Sequence, residues 1–323
     1  MERSEYNLLG AFTEMVGVLT TLNAQAGLSH PDGQQSPEDS IVQLGTWELT
    51  EESVLLYIHA VGDTSSLYLE SRLAPPLAVT AWTLGKMLKK LDLPSGAIHS
   101  LQEMEITRGI RFGERVTASM TVGQPRRRGD LEFINAAYKL KDTCGQDVLL
   151  GQSTVLVNQA PVSGPPRRDS GANQTATSPA TDRLPHPRQE SGLETVERTI
   201  TQERLVAYSQ ASGDYNPLHL DPEFAATTQF GGIIAHGMLT LAMVSEAMAK
   251  NYGKSWLERG SLKIRFKGAA YLGDCLYTQC RVSKPRSDEN GQREVCSVSV
   301  RERDSGRELV SGSATVIISG DIS

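Results

Sequence analysis

An aspartate and a histidine stand five residues apart in the second half of the chain, on either side of a proline. Asp214 and His219 flank the pair Asn216 and Pro217. Proline cannot occupy a helix interior, and it drives the preceding residue toward extended geometry, so a turn is predicted here that lets the two side chains converge. A carboxylate and an imidazole held together can each take and return a proton near neutral pH. The alternative is a chance cluster of turn-forming residues.

A glycine at the head of an apolar segment is the second candidate group. Gly237 follows His236 directly, and the apolar residues after it predict a helix. The first backbone N–H groups of a helix lack internal acceptors, and a glycine lets a ligand oxygen approach them closely. Such donors would stabilise the enolate that forms when a proton is removed beside a carbonyl group. His236 is interpreted as a positioned neighbour of the reacting groups, with a catalytic role left open.

The elements around these residues follow an α+β order that occurs twice. Two long helical patterns, Val79 to Leu91 and Leu239 to Tyr252, are each followed by strand patterns. Helix starts are also predicted at Thr50 and Thr201, each a threonine followed by acidic or amide residues. Alternation of apolar and polar residues predicts antiparallel strands with one buried face. The strand patterns cover residues 103–107, 115–122, 131–140 and 146–157, then 261–266, 275–282, 294–301 and 308–319.

The two halves of the chain repeat one another in sequence. Tyr57 and Asp63 align with Tyr208 and Asp214 at an offset of 151 residues, and later segments align at offsets of 160 and 161. A drift of about ten residues indicates one loop insertion within a duplication, and two copies are too few for a solenoid. A pseudo-dimer joined through strand edges is therefore predicted.

The aligned copies differ at the groups that carry chemistry. The first copy has Tyr68 in place of the second copy's turn histidine, and Val79-Thr80 in place of His236-Gly237. The first copy therefore keeps the predicted order of helices and strands but lacks the acid–base pair. One functional site per chain is predicted, in the second copy.

Composition divides the chain into four parts. Residues 1–40 are an N-terminal extension with a short predicted helix, packed either on its own domain or on a partner, and residues 41–158 form the first copy. Residues 159–192 are predicted to be a flexible linker, because six of the chain's 15 prolines lie there and no aromatic residue occurs between Tyr138 and Tyr208. Residues 193–323 form the second copy.

Charge and cysteine usage exclude several classes of function. A net charge of −6 argues against non-specific nucleic-acid binding, which needs a basic face. No run of 18 apolar residues could span a membrane, and the first residues lack the cationic start of a signal peptide, so a cytoplasmic protein is expected. The four cysteines show no metal-binding spacing and are expected to be reduced, with no metal site: Cys144, Cys275, Cys280 and Cys296.

The segment from Tyr208 to Leu239 resembles the signature of the MaoC-like (R)-specific enoyl-CoA hydratases, the hydratase 2 family. The similarity covers roughly residues 197–318, and the first half resembles more weakly the degenerate N-terminal domain of double-hotdog hydratases and dehydratases. The resemblance implies two fused hotdog domains, each a long central helix wrapped by an antiparallel sheet. The matching runs are Ser212-Gly213-Asp214, Asn216-Pro217-Leu218-His219, Phe224-Ala225-Ala226-Thr227-Thr228 and His236-Gly237-Met238-Leu239.

The resemblance also implies a role for each residue of the site. Asp214 and His219 would hold one water or hydroxyl and add it to, or remove it from, a 2-enoyl thioester. Asp214 would be the general base toward water, with His219 assisting proton delivery to the α-carbon. Asn216, next to Pro217, would orient the loop, and the Gly237 N–H would bind the thioester oxygen.

Residues for the two ends of the substrate are also suggested. Ser245 falls in the acyl-pocket region of relatives, and Val79 and Trp82 on the first-half helix are further pocket candidates. Three cations share one strand face, which would suit the phosphates of CoA or phosphopantetheine or, alternatively, is simply solvated. These cations are Lys263, Arg265 and Lys267.

The expected reaction is reversible hydration of a trans-2-enoyl-CoA or -carrier-protein thioester, with dehydration of the (R)-3-hydroxyacyl thioester as its reverse. No metal or redox cofactor is expected, and a homodimer of double hotdogs is left open. One alternative is a hotdog thioesterase, which would hydrolyse the C–S bond. The other is a non-catalytic acyl-thioester-binding subunit. The surviving Asp–His pair and glycine disfavour both.

Overall fold

The computed structural model describes residues 41–94, 96–158, 193–283, 286–288 and 291–318. The short helix predicted within residues 1–40 and the linker predicted at residues 159–192 lie outside the described residues. Within the described part, no helix is both long enough and apolar enough to cross a membrane.

The first half contains six strands and three helices within its described residues. They are β1 (Val42–Glu48), α1 (Glu51–Val61), α2 (Leu67–Ser71), α3 (Pro76–Leu91), β2 (Ile98–Ile106), β3 (Arg115–Val122), β4 (Arg126–Arg128), β5 (Leu131–Lys141) and β6 (Asp147–Asn158). The predicted helices and strand patterns of this half fall on these elements. The edge strand β1 precedes them without having been predicted.

The second half repeats this order with additional short helices. Its elements are β7 (Glu197–Thr199), α4 (Gln202–Ser212), a 3-10 turn (Pro217–His219), α5 (Pro222–Thr227), α6 (Gly237–Tyr252), α7 (Lys254–Arg259), β8 (Gly260–Phe266), β9 (Cys275–Val282), β10 (Arg286–Asp288), β11 (Gly291–Glu302) and β12 (Glu308–Ile318). The helices α5 and α7 and the short strands β7 and β10 were not predicted from sequence.

One antiparallel sheet runs through both halves. Its order is β1-β3-β5-β6-β2-β8-β12-β11-β9-β7, with β4 and β10 paired to β5 and β11. Strands β2 and β8 join the halves, with Glu103 opposite Lys263. Helices α3 and α6 pack against each other, and every residue of α6 from Met238 to Ala249 is buried. The predicted α+β pseudo-dimer of two helix-and-sheet units is confirmed.

Local capping rules place the loop that carries Asp214. The side chain of Thr201 accepts a hydrogen bond at the start of α4, and the helix ends at Gly213, whose φ is 76°. Glycine adopts this left-handed conformation at little cost because it has no Cβ atom, so the chain leaves the helix there and Asp214 comes next. Helix α1 has the same caps, at Thr50 and Gly62. Both predicted helix starts are therefore confirmed.

The central helices show where the duplicated copies differ in length. Both helices have 16 residues and begin at Pro76 and Gly237, so Pro76 is the counterpart of Gly237 at an offset of 161 residues. The predicted alignment of Gly237 with Thr80 was therefore wrong. The extra residues lie between His219 and Gly237, where α5 forms. The same offset makes Leu84 the counterpart of Ser245.

Candidate active site

Three titratable side chains converge where the second-half loop meets the start of α6. One nitrogen or oxygen atom from each of Asp214, His219 and His236 lies within 4.8 Å of the other two. His219 is buried, and its Nδ1 lies 2.8 Å from the carbonyl oxygen of Ile234. Because a carbonyl can only accept, Nδ1 is assigned the hydrogen and Nε2 keeps a lone pair. The turn therefore presents His219 as a proton acceptor.

The Asn-Pro turn is held by its own side chains. The Asn216 Oδ1 atom accepts a hydrogen bond from the Leu218 amide at 3.1 Å, which begins the 3-10 turn at Pro217. The Asp214 Oδ1 atom accepts one from the Asn216 amide at 3.2 Å. These bonds fold the chain so that His219 returns toward Asp214, as the sequence predicted for an irregular turn.

His236 lies behind this pair, immediately before α6. Its ring centre is 3.8 Å from that of His219, with 34° between the planes. Its Nε2 lies 3.2 Å from the Asp214 main-chain oxygen and 3.3 Å from the Ser209 hydroxyl. His236 thus contacts both the ring of one reacting group and the backbone of the other.

Burial keeps both imidazoles uncharged. Desolvation lowers the pKa of His219, against the opposing effects of the Asp214 charge and the Ile234 carbonyl. Desolvation also holds the pKa of His236 well below its usual range, and the neighbouring His219 lowers it further. Loss of hydration disfavours the charged imidazolium, so a neutral base is available at pH 7.

The same three side chains carry the nitrogen and oxygen atoms that could coordinate a metal ion at this site. Imidazole nitrogens with one carboxylate are ligands that zinc and related ions accept. The cluster Asp214, His219 and His236 is the group of this kind found within the described residues. The expectation that no metal takes part stays a prediction.

A cavity of about 390 Å³ opens at this cluster, between the two halves of the molecule. The second half contributes the loop and the start of α6, and the first half contributes the C-terminal part of α3 and the beginning of β2. The lining includes Asp214, Asn216, His219, Phe230, His236, Gly237 and Phe266 from the second half, and Leu84, Gly85, Leu88, Lys89, Ile98, His99 and Val155 from the first.

Gly237 is the first residue of α6 and lines the cavity. A Cβ atom at this position would lie 3.0 Å from the Phe266 ring, so a larger residue would push that ring aside. The first amides of a helix have no intrahelical acceptor. The start of α6 therefore offers close main-chain donors beside Asp214 and His219.

The three predicted acyl-pocket residues do not line this cavity. Ser245 accepts a hydrogen bond from Trp256 Nε1 at 3.0 Å, and Val79 is fully buried within α3. Trp82 donates its Nε1 hydrogen to the Ala211 carbonyl at 2.7 Å. The reason is that the loop carrying Asp214 faces α3 of the first half, whereas the corresponding first-half loop, which carries Asp63, faces α6. The cavity is therefore lined by Leu84, and its counterpart Ser245 lies at the first-half loop.

The three predicted phosphate-binding cations also lie away from the cavity lining. Lys263 forms an ion pair of 2.7 Å with Glu103 across the junction of the halves, and Lys267 one of 2.7 Å with Glu308. Arg265 lies between them on β8. Among the described lining residues, the cation is Lys89, near the end of α3. Sequence reasoning missed it, since a lysine in a last helical turn is ordinary.

The corresponding loop of the first half is closed. The Tyr68 hydroxyl donates to Asp63 Oδ2 at 2.6 Å, and both side chains are buried. The space beside them, which Ser245 also lines, amounts to about 10 Å³. No substrate fits there. Of the two loops, as far as the described residues show, the second-half loop is the one that opens onto a cavity of ligand size.

Asp63→Ala should therefore leave turnover within about twofold of the wild type. It should lower the free energy of unfolding by about 1–3 kcal/mol, because the buried Tyr68 hydroxyl loses its acceptor. Steady-state kinetics and urea unfolding of the same preparation measure the two effects separately. Loss of turnover as severe as that of an Asp214 variant would show that the first half is catalytic.

Comparison with known proteins places the chain in a family. Residues 186–304 match the family described as the MaoC like domain. A 3-hydroxybutyryl-CoA dehydratase of Methylorubrum extorquens is 30% identical over 34% of this chain and 71% of its own length. The (R)-specific enoyl-CoA hydratase of Aeromonas caviae is 37% identical over 26% of the chain and 63% of its own length.

Other relatives are much longer than the matched part. A peroxisomal hydratase-dehydrogenase-epimerase of Neurospora crassa is 30% identical over 53% of this chain, and the match spans only 17% of that protein. A solved structure from Mycobacterium tuberculosis described as a double hotdog superposes on 87% of this chain and 96% of its own, with a TM-score of 0.60 at 12% identity. The fold and the relatives agree, and the chain belongs to the MaoC-like dehydratase family.

Proposed function

We propose that the chain is a hydro-lyase of acyl thioesters, which hydrates a trans-2-enoyl thioester and dehydrates the (R)-3-hydroxyacyl thioester. The observation that carries the proposal is the convergence of Asp214, His219 and the start of α6 at Gly237 on one cavity. The relatives named as a 3-hydroxybutyryl-CoA dehydratase and an (R)-specific enoyl-CoA hydratase support the same chemistry.

In the hydration direction, one water lies between the Asp214 carboxylate and the His219 Nε2 lone pair. Asp214 takes one proton from the water as its oxygen bonds to C3 of the enoyl group. The electron pair of the C2–C3 double bond moves into the thioester, and the main-chain N–H of Gly237 binds the resulting enolate oxygen. Asp214 then returns that proton to C2 with the assistance of His219, so that its carboxylate is regenerated, and the second hydrogen of the water stays on the new hydroxyl.

The neutral state of His219 fits this scheme. A cationic imidazole could not accept a hydrogen bond from the water, whereas the neutral ring with hydrogen on Nδ1 can. Every proton that moves comes from the water and returns to the substrate. We propose that the reaction involves no metal or redox cofactor, since Asp214, His219 and the main chain of Gly237 account for each step above.

The test is turnover of enoyl-CoA substrates of graded chain length, with free thiol measured in the same samples. Loss of the conjugated-thioester absorbance without thiol release supports the proposal. Thiol release would identify a thioesterase instead, and saturable binding without turnover a binding subunit. Either result would overturn the hydro-lyase assignment.

The carrier end of the thioester is assigned to the mouth of the cavity beside Lys89. Its counterpart in the last turn of α6, Lys250, pairs with Glu246 at 3.2 Å and with Glu194 at 3.5 Å. The counterpart of Glu246 in the first half is Gly85, and no ion pair of Lys89 is found in the described part of the chain. The charge of Lys89 is thus available for a phosphate of CoA or phosphopantetheine.

Lys89→Met should raise KM for an enoyl-CoA by about two- to fivefold, the range of an exposed ion pair. KM for the matching enoyl-pantetheine thioester, which has no phosphate, should not change. Lys90→Met, the adjacent exposed lysine in the same helical turn, is the control. The assignment would be wrong if both substrates, or both variants, showed equal changes.

A further inference from the structure

The last turn of α4 receives a hydrogen bond from the other half of the molecule. The indole Nε1 of Trp82 on α3 donates to the Ala211 carbonyl at 2.7 Å. The final carbonyls of a helix have no N–H donor within that helix, so they accept hydrogen bonds from groups elsewhere. Ala211 stands three residues before Asp214. The first half thus supplies a donor next to the catalytic loop.

Gly85 lies three residues after Trp82, on the same side of α3. A Cβ atom on Gly85 would lie 2.7 Å from the Ser212 carbonyl oxygen, a main-chain atom that cannot rotate away. Helix α3 therefore touches α4 at two successive carbonyls, those of Ala211 and Ser212. The contact is close enough to fix where α4 ends.

A series of aromatic contacts continues from Trp82 to the reacting groups. The Trp82 ring meets Tyr57 edge-on at 6.2 Å between centres, and Tyr57 meets Tyr208 at 6.2 Å. Tyr208 lies 4.9 Å from His236, which in turn lies 3.8 Å from His219. The indole thus contacts an aromatic ring in addition to the hydrogen bond at its nitrogen.

The closed loop of the first half is held in a different way. The counterpart of Gly85 is Glu246, a buried carboxylate in an ion pair of 2.6 Å with Arg198. Arg198 also donates to the Val61 carbonyl at the end of α1, at 3.3 Å. The Arg198–Glu246 ion pair therefore occupies the space beside the end of α1. On the catalytic side, the neutral indole of Trp82 binds the end of the helix instead, and Gly85 has no side chain that would occupy the cavity.

We infer that Trp82 and Gly85 are positioning residues, which fix the end of α4 and so set the distance of Asp214 from His219. The first half acts on catalysis through these two contacts rather than through its own loop. The inference rests on the proposed function for its effect on turnover. Its effect on the geometry of the loop is independent of that function.

The test is Trp82→Phe, which removes the N–H donor and keeps an aromatic ring beside Tyr57. Small displacements of a catalytic group cost up to about 10²-fold in rate, and we expect kcat for a short enoyl-CoA to fall about tenfold with KM little changed. Trp256→Phe is the matched control, because it removes the indole donor to Ser245 at 3.0 Å on the closed side. This control should keep wild-type kcat.

Hydrogen exchange gives a second result that does not depend on turnover. Amides of residues 209–216 should exchange at least tenfold faster in Trp82→Phe than in the wild type, and at the wild-type rate in Trp256→Phe. Gly85→Ala should show the same faster exchange and the same loss of kcat. If the wild type has no hydratase activity but these exchange differences appear, the proposed function fails and the positioning role stands.

Two results would overturn the inference. A Trp82→Phe variant with wild-type kcat and an altered chain-length preference would make Trp82 an acyl-pocket residue, as its sequence position first indicated. Equal losses of kcat and equal exchange rates in Trp82→Phe and Trp256→Phe would show a general effect of losing a buried hydrogen bond. Each variant is compared at equal concentrations of folded protein.

Discussion

Asp214→Asn or His219→Gln is expected to lower kcat by roughly 10²–10⁴-fold, the contribution of a positioned acid–base group. Asparagine keeps the Oδ1 acceptor that binds the Asn216 amide at 3.2 Å. Glutamine keeps an amide donor that can reach the Ile234 carbonyl, which His219 Nδ1 contacts at 2.8 Å. The turn is thus retained while proton transfer is lost, so the fall should appear in kcat with little change in melting temperature.

Asp221→Asn is the matched control for this experiment. Asp221 stands two residues after His219 and caps α5 by accepting hydrogen bonds from the Glu223 and Phe224 amides. It is exposed and is not part of the cavity lining described above. Asparagine is an equally good helix cap, so kcat should stay within about twofold. A variant of Asp214 or His219 that keeps more than a tenth of wild-type kcat would contradict the assignment.

The parts of the site that follow from local rules could be predicted from the sequence. Pro217 cannot continue a helix, and its neighbour Asn216 caps the turn that follows, so the convergence of Asp214 and His219 depends on a few adjacent residues. The helix start at Thr201 follows from the same kind of rule. Repetition of these signals along the chain was enough to predict two copies of one unit.

The parts that depend on contacts between the halves could not be predicted. Ser245 and Leu84 occupy equivalent positions on the two central helices, and only the three-dimensional arrangement shows that the catalytic cavity takes Leu84. Strand alternation placed Lys263 on a shared face, but its partner Glu103 belongs to the other half. Helical periodicity likewise gives Trp82 a buried face without showing that it binds the Ala211 carbonyl.

The free energy of unfolding is expected to decrease as the pH falls from 7 to 4, and His99 should account for a large share. Burial lowers the pKa of His99 to about 4 from 6.5, against the opposing hydrogen bonds to the Leu101 backbone and the Gln102 side chain. Its ring packs 4.9 Å from that of Phe266, and its Nε2 is buried without a partner among the described residues. Protonating this imidazole in the folded state is therefore costly.

The sign of the effect follows from proton linkage. Between pH 6.5 and 4 the unfolded chain binds a proton at His99 and the folded protein does not, so the unfolded state is favoured as the pH falls. One pKa unit corresponds to about 1.4 kcal/mol, so the loss from His99 alone should approach about 3 kcal/mol by pH 4. The lowered pKa values of His219 and His236 act in the same direction.

Urea unfolding at pH 7, 5.5, 4.5 and 4 measures this dependence. His99→Phe keeps an aromatic ring against Phe266 but cannot take up a proton, so its free energy of unfolding should fall by about 3 kcal/mol less than that of the wild type over this range. If the free energy of unfolding of His99→Phe falls with pH as steeply as that of the wild type, His99 takes up its proton equally well in the folded and unfolded states. The assignment of a neutral His99 in the folded protein would then be wrong.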